Sequence, residues 1–237
     1  MATQLQAWFP WTARPLVVSA PMRTVSGAAL AAAVSNAAGL GFVGVGYSLD
    51  DDDVMADLVR TPDLLLPGLP SPTPATAPFG IGFIMFHCPL DQALAATARL
   101  RPAAVWLFTP KSDDQLREWV CALRAAAPWT KVAVQVSNVA AAAQALQITG
   151  VDVLVAQGVA DAGGHGERRG ASLVALVPEL QDLLCRLGRR GRVPVLAAGG
   201  IMDGRGAAAA LALGADGVVL GTRVSAALCS VADAGHR

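Results

Sequence analysis

Residues 193–222, VPVLAAGGIMDGRGAAAALALGADGVVLGT, decide the fold because two short apolar runs in this stretch flank one alanine-rich segment. The runs 193–197 and 217–220 are typical of strands buried on both faces, and residues 204–213 between them predict a helix. A helix between two such strands indicates a parallel βαβ unit. Each run ends in a turn, Gly199-Gly200 after the first and Gly221-Thr222 after the second.

The same alternation of strand and helix runs through the rest of the chain. Six further strand candidates cover residues 16–19, 41–45, 80–85, 103–108, 132–136 and 151–156. Further helical candidates cover residues 28–38, 51–61, 90–100, 113–127, 139–149 and 173–188, and an incomplete last helix follows Thr222. Eight strands in strict alternation predict an α/β fold, a (β/α)8 TIM barrel, built as one domain over residues 1–237. The stretch 62–78 contains six prolines and predicts an extended loop.

Composition and charge exclude several classes of function. Eighteen basic and eighteen acidic residues give a net charge of zero, which argues against a nucleic-acid or anionic-membrane surface and favours a small-molecule partner. The four cysteines are widely spaced, without the close pairs of a zinc site, and no secretory leader precedes the first strand candidate. The sequence therefore predicts a cytoplasmic protein with reduced thiols, no membrane span and no bound metal.

The two glycine turns form a candidate anion site. In a TIM barrel the loops after strands seven and eight lie side by side at the C-terminal ends of the strands, where they commonly hold a phosphate. Gly199, Gly200 and Gly221 would let backbone N–H groups approach an anion closely, and Thr222 adds a hydroxyl donor. The alternative interpretation is that these glycines serve only as tight-turn residues.

A third candidate element follows the sixth strand, where Gln157-Gly158 leads into Asp161-Ala162-Gly163-Gly164-His165-Gly166. An imidazole has an unperturbed pKa of about 6.5, so His165 can accept a proton or hold an anion near neutral pH. The alternative is an exposed loop histidine without a role. His87, which follows the third strand, is interpreted in that second way, and Asp203 is predicted to cap a helix.

Five segments in one order carry a resemblance to a known family. They resemble the nitronate monooxygenases, formerly called 2-nitropropane dioxygenases. The segments are Ala20-Pro21-Met22, the run LAAAVSNAAGLG at 30–41, the Gln157–Gly166 loop, AAGGI at 197–201 and LGTR at 220–223.

The resemblance implies a TIM-barrel flavoprotein that binds FMN and oxidises alkyl nitronates, such as propionate 3-nitronate, with molecular oxygen to a carbonyl compound and nitrite. It implies that His165 is the catalytic group beside the flavin, acting as a base or as a hydrogen-bond donor to the nitronate. The implied FMN-binding residues are Ala20, Pro21, Met22, Gln135, Gln157, Gly163, Gly164, Gly199, Gly200, Gly221 and Thr222.

Three departures from the family pattern leave alternatives open. Asp161 stands where the family commonly has Glu, and Val224 stands where an aromatic residue is usual. Only fourteen residues follow Arg223, so the C-terminal helical segment is shorter than in the family. The alternatives are a truncated barrel with weak or no activity and a flavin-dependent enoyl-acyl-carrier-protein reductase, which resembles this chain through the same glycine-histidine loop. The oligomeric state is not predicted.

Overall fold

Eight parallel strands form one sheet that closes into a barrel. The structure is a computed structural model that describes residues 4–45, 49, 52–71, 76–158 and 170–226. The strands are β1 Leu16–Ser19, β2 Phe42–Val45, β3 Ala77–Ile84, β4 Pro102–Phe108, β5 Lys131–Val136, β6 Val153–Gln157, β7 Val195–Ala198 and β8 Gly217–Leu220. From β2 to β8 each strand pairs with the next one in sequence, and β8 also pairs with β1.

Helices alternate with the strands, so the predicted (β/α)8 barrel is confirmed. They are α1 Gln4–Trp8, α2 Ala28–Asn36, α3 Asp52–Arg60, α4 Leu90–Leu100, α5 Asp113–Ala126, α6 Val139–Ala145, α7 Leu173–Arg186, α8 Gly204–Ala212 and α9 Thr222–Ser225. None of the helices in the described ranges is long and apolar enough to cross a membrane. The predicted short C-terminal segment is described only as far as residue 226.

The barrel closes unevenly at the junction of β1 with its two neighbours. β1 and β8 share four register pairs, from Leu16 with Gly217 to Ser19 with Leu220. Toward β2 the backbone contact is a single bridge between Val18 and Leu40, just before β2 begins. The Ser19 hydroxyl supports this junction by accepting a hydrogen bond of 3.1 Å from the N–H of Phe42.

The structure corrects the sequence interpretation at the N-terminus and in the stretch 62–78. Helix α1 was not predicted; its Leu5 is buried, and the following Phe9 and Trp11 pack with it against residues that face the barrel interior. The stretch 62–78 is not extended throughout, because a 3₁₀ turn covers Thr61–Leu64 and β3 already begins at Ala77. Pro62 suits the start of that turn because its fixed φ matches helical backbone.

Two aspartates tie the N-terminal ends of neighbouring strands together in the same way. Asp152, which precedes β6, accepts a hydrogen bond of 2.8 Å from the N–H of Val132 in β5. Asp216, which precedes β8, accepts one of 2.8 Å from the N–H of Val195 in β7. Asp152 also forms a salt bridge with Arg124, whereas the described residues give Asp216 no salt bridge.

This difference predicts that the same substitution destabilises the protein at Asp152 and has little effect at Asp216. We expect Asp152→Asn to lower the free energy of unfolding by about 1.5–3 kcal/mol, because it leaves the Arg124 guanidinium without its anionic partner. Asp216→Asn should change it by less than about 0.5 kcal/mol. Although Asp216 is exposed over much of its surface, partial desolvation raises the pKa of its carboxyl, so the charge itself is not stabilised there. Urea unfolding at pH 7 of the two variants checks this, and equal losses would contradict it.

Candidate functional site

The C-terminal mouth of the barrel carries two inward-facing glutamines. Gln135 of β5 pairs in register with Val155, and Gln157 of β6 pairs with Ala198. Val155 and Ala198 belong to the cluster of apolar side chains inside the barrel, so both glutamines point inward. Each is only partly buried, although the apolar residues below it are buried. Two side-chain amides therefore line the open end of the barrel.

The segment Ala20-Pro21-Met22 crosses this mouth from β1 toward β2 and β3. The N–H of Ala20 donates to the carbonyl of Leu220 in β8, at 3.0 Å. Pro21 lies on Gly82 of β3, where a Cβ atom would come within 2.2 Å of the proline ring. Met22 lies against Gly44 of β2, where a Cβ atom would be 2.7 Å from the Met22 backbone. Glycines on two strands thus make room for this segment at the mouth.

The backbone conformation of the Gly199-Gly200 turn requires glycine. Gly199 has a φ of 115° and Gly200 a φ of 67°, a region that residues with a Cβ rarely adopt. A Cβ on Gly199 would also lie 3.0 Å from the carbonyl oxygen of Gly158, because the ends of β6 and β7 are adjacent. The N–H of Gly158 donates to the carbonyl of Ala198 and joins the two ends.

In the turn after β8, neither a positive φ nor a close contact requires glycine at position 221. Gly221 has a φ of −102°, which lies outside the left-handed region that favours glycine. Among the described residues, a Cβ there would meet only the sulfur of Met22 at 3.7 Å and the Cβ of Ala20 at 3.8 Å, both ordinary contacts. The space in front of Gly221 is therefore open and lies beside the mouth segment.

The start of α8 is already occupied by a side chain of the protein. Asp203 caps this helix, as predicted, by accepting from the N–H groups of Arg205 and Gly206 at 2.9 Å and 3.2 Å. The Arg205 guanidinium, these N–H groups and the charge of Arg223 lower the pKa of the Asp203 carboxyl. The influence of Arg223 indicates that the turn after β8 lies near the start of α8.

Free backbone donors remain in the two turns. Among the described residues, the N–H groups of Gly200, Gly221 and Thr222 donate to no carbonyl or side chain. An anion at this edge of the mouth can therefore be bound by the turns themselves, although Asp203 occupies the first N–H groups of α8.

Three predicted residues, Gly163, Gly164 and His165, lie outside the described residues. The described chain before them ends at Gly158, next to the end of β7. It resumes at residue 170, and the N–H of Ala171 donates to the carbonyl of Ser137, just after β5. The described residues on either side of this gap, Gly158 and Ala171, are thus bonded to the C-terminal side of the barrel.

The rim after β3 and β4 contains features that sequence reasoning missed. Gln115 of α5 donates to the carbonyl of Met85 at 3.0 Å and accepts from the N–H of Lys111 at 2.7 Å, so it joins the two loops.

His87 is exposed beside Phe86. Burial raises the pKa of the Cys88 thiol to about 12, so this group is not a nucleophile near neutral pH. In the described ranges no three His, Cys, Asp or Glu residues could share a metal ion.

Comparison with known proteins gives consistent matches. The family model "Nitronate monooxygenase" matches residues 108–237. The nitronate monooxygenase npaC of Metarhizium robertsii is 48% identical over 219 residues, which covers 90% of this chain and 59% of that protein. This chain therefore spans about three fifths of the length of that relative.

Two solved structures share the fold over nearly the whole chain. Nitroalkane oxidase from Streptomyces ansochromogenes has a TM-score of 0.73 and 28% identity, and the match covers 94% of this chain and 69% of that one. FabK from Thermotoga maritima has a TM-score of 0.71 and 28% identity, with 97% and 64% covered. The match to the family model over more than half of the residues and the identity to a curated member show that this chain belongs to the nitronate monooxygenase family.

Proposed function

We propose that the whole chain forms one FMN-binding barrel that oxidises alkyl nitronates with molecular oxygen to a carbonyl compound and nitrite. Family membership supports a flavin-dependent oxidoreductase. The observation that carries the choice of a mononucleotide is the open space in front of Gly221, where a Cβ would make only ordinary contacts with the described residues while the Gly221 N–H remains free. Glycine at such a position is explained by a ligand that approaches the backbone closely.

The residues at the mouth fit a flavin. Ala20, Pro21 and Met22 offer a partly exposed apolar wall, which suits an aromatic ring system. The amides of Gln135 and Gln157 can both donate to and accept from the polar edge of that ring.

The phosphate would be held by the two turns beside that wall. We assign it to the N–H groups of Gly200, Gly221 and Thr222, together with the Thr222 hydroxyl and the close backbone approach at Gly199. Arg223, the exposed residue that follows Thr222, adds a positive charge next to this edge of the mouth.

The bound flavin supplies the electron transfer between nitronate and oxygen. The residues of this chain orient the ring through the mouth segment and the glutamines, and they bind the phosphate through the turns. We assign to His165 the role of holding the anionic nitronate when protonated, or of accepting a proton from the carbon next to a nitro group when neutral. Gly163 and Gly164 would let that loop approach the ring closely.

Purified protein tests this function directly. We expect a yellow protein, or one that can be loaded with FMN, which consumes oxygen and releases nitrite when propionate 3-nitronate is added. Protein that cannot be loaded with FMN would support the truncated, inactive barrel. Oxidation of reduced nicotinamide that depends on an enoyl thioester, without nitronate turnover, would support the reductase instead.

Gly221→Ala provides a sharper test of the phosphate site. We expect the dissociation constant for FMN to rise about 10- to 100-fold, because hydrogen bonds to charged groups contribute about 1.5–3 kcal/mol and the new Cβ obstructs one. Riboflavin, which lacks the phosphate, should bind as it does to the wild type. Fluorescence titration with both ligands measures this difference.

Gly204→Ala is the matched control at the start of α8, because a Cβ at Gly204 would meet no atom of the described residues within 4 Å. Both variants should unfold at the wild-type temperature. If Gly221→Ala weakens the binding of FMN and of riboflavin equally, the phosphate does not bind at this turn.

A further inference from the structure

Ser26 joins the two peptide groups on either side of Pro21. Its hydroxyl donates to the carbonyl of Ala20 at 2.7 Å and accepts from the N–H of Met22 at 3.2 Å. Pro21 has no N–H of its own with which to hold the segment in place. A single side chain therefore fixes the conformation of the mouth segment around its proline.

Backbone bonds connect the same serine to the rest of the barrel. The N–H of Ser26 donates to the carbonyl of Met22 at 2.8 Å, and the carbonyl of Ser26 accepts from the N–H of Gly44 in β2 at 2.8 Å. Ser26 is only 1% exposed, whereas Ala20, Pro21 and Met22 are partly exposed at the mouth. A ligand at the mouth would contact the segment and not the serine.

We propose that Ser26 is a positioning residue that holds Ala20-Pro21-Met22 in the conformation that receives the flavin ring. This proposal rests on the proposed function, since that function places the ring against the segment. Ser26 acts through the segment and takes no part in the chemistry. Loss of its hydroxyl should weaken ring binding, while the phosphate turns stay intact.

The experiment compares Ser26→Ala with Ser35→Ala. Ser35 is also fully buried, and its hydroxyl accepts from the N–H of Gly41 at 3.1 Å, before β2 begins and away from the mouth. Each variant loses a buried serine hydroxyl, so each should unfold about 2–4 °C below the wild type. Only Ser26→Ala should raise the dissociation constants of both FMN and riboflavin, by about tenfold.

Two further measurements separate positioning from a loss of stability alone. The visible circular dichroism of bound FMN should change in Ser26→Ala and stay as in the wild type in Ser35→Ala. Ser26→Cys keeps a small side chain with a weak donor and should show a smaller loss of affinity than Ser26→Ala. If alanine prevents folding, the cysteine variant provides the affinity comparison.

The outcomes distinguish this proposal from the proposed function. If the wild type binds flavin and Ser26→Ala binds both riboflavin and FMN as tightly as the wild type does, the positioning role is overturned. If the wild type binds no flavin, the proposed function fails. Hydrogen exchange of the ligand-free protein then decides whether Ser26 fixes the segment, because the Met22 amide should exchange faster in Ser26→Ala than in Ser35→Ala. Equal exchange in the two variants would contradict it.

Discussion

Replacing His165 with alanine is expected to lower nitronate turnover by about 10²- to 10⁴-fold, the range typical of a lost general acid or base. FMN should remain bound, because the proposed phosphate turns and ring wall lie on other parts of the chain. Stopped-flow measurement of the reaction between nitronate and the loaded protein gives the rate, and the visible spectrum of the same sample gives the occupancy.

His87→Ala is the natural control for this experiment. His87 is exposed on the rim after β3 and has no assigned role in the reaction. We expect its substitution to leave turnover within about twofold of the wild type, as for a surface change away from the site. A loss that is as large for His87 as for His165, or wild-type turnover in His165→Ala, would remove His165 from the mechanism.

Gly82→Ala is expected to have the largest effect on the structure of the mouth. The new Cβ would lie 2.2 Å from the Cβ and 2.5 Å from the Cγ of Pro21, so the proline ring has to move. Overpacking of this kind costs about 1–3 kcal/mol of stability. We expect that loss in urea unfolding, together with at least tenfold weaker binding of FMN and riboflavin alike, because the displaced segment is the proposed ring wall.

Gly206→Ala makes the same chemical change in α8. Its Cβ would be 3.6 Å from the nearest atoms of Ile201, which is an ordinary contact. Alanine also has the higher helix propensity, by about 1 kcal/mol. We therefore expect unchanged or greater stability and unchanged flavin binding. Wild-type stability in Gly82→Ala would show that Pro21 does not occupy the inner face of β3.

The strands could be predicted because a strand buried on both faces leaves a continuous apolar run. Residues 16–19 and 217–220 were predicted to the residue. Residues 151 and 152 were placed in the sixth strand, but β6 begins at Val153. Asp152 lies before the strand because its side chain binds the N–H of Val132. A bond between distant residues of this kind leaves no periodic pattern in the sequence.

The turns of the candidate site could be predicted from the sequence, but not all of the residues that hold the mouth segment in place could. Gly199-Gly200 and Gly221 stood out because each follows a strand, and the structure brings the two turns to the same side of the barrel. Ser26 could not be recognised, because a serine before a helix usually caps it. Gly44 and Gly82 did carry a usable signal. Glycine inside a strand often marks the close approach of another backbone, which here is the mouth segment.

The uneven closure at β1 determines when the barrel can be completed during synthesis. Leu16 pairs with Gly217, about two hundred positions later, while toward β2 the first strand has only the Val18 bridge. A ribosome therefore releases β1 long before its main partner exists, and the nascent chain carries an unsatisfied strand edge until β8 has been made. Pairing across such a distance is slow to form, so we expect closure of the barrel at β1 and β8 to be a late step in folding.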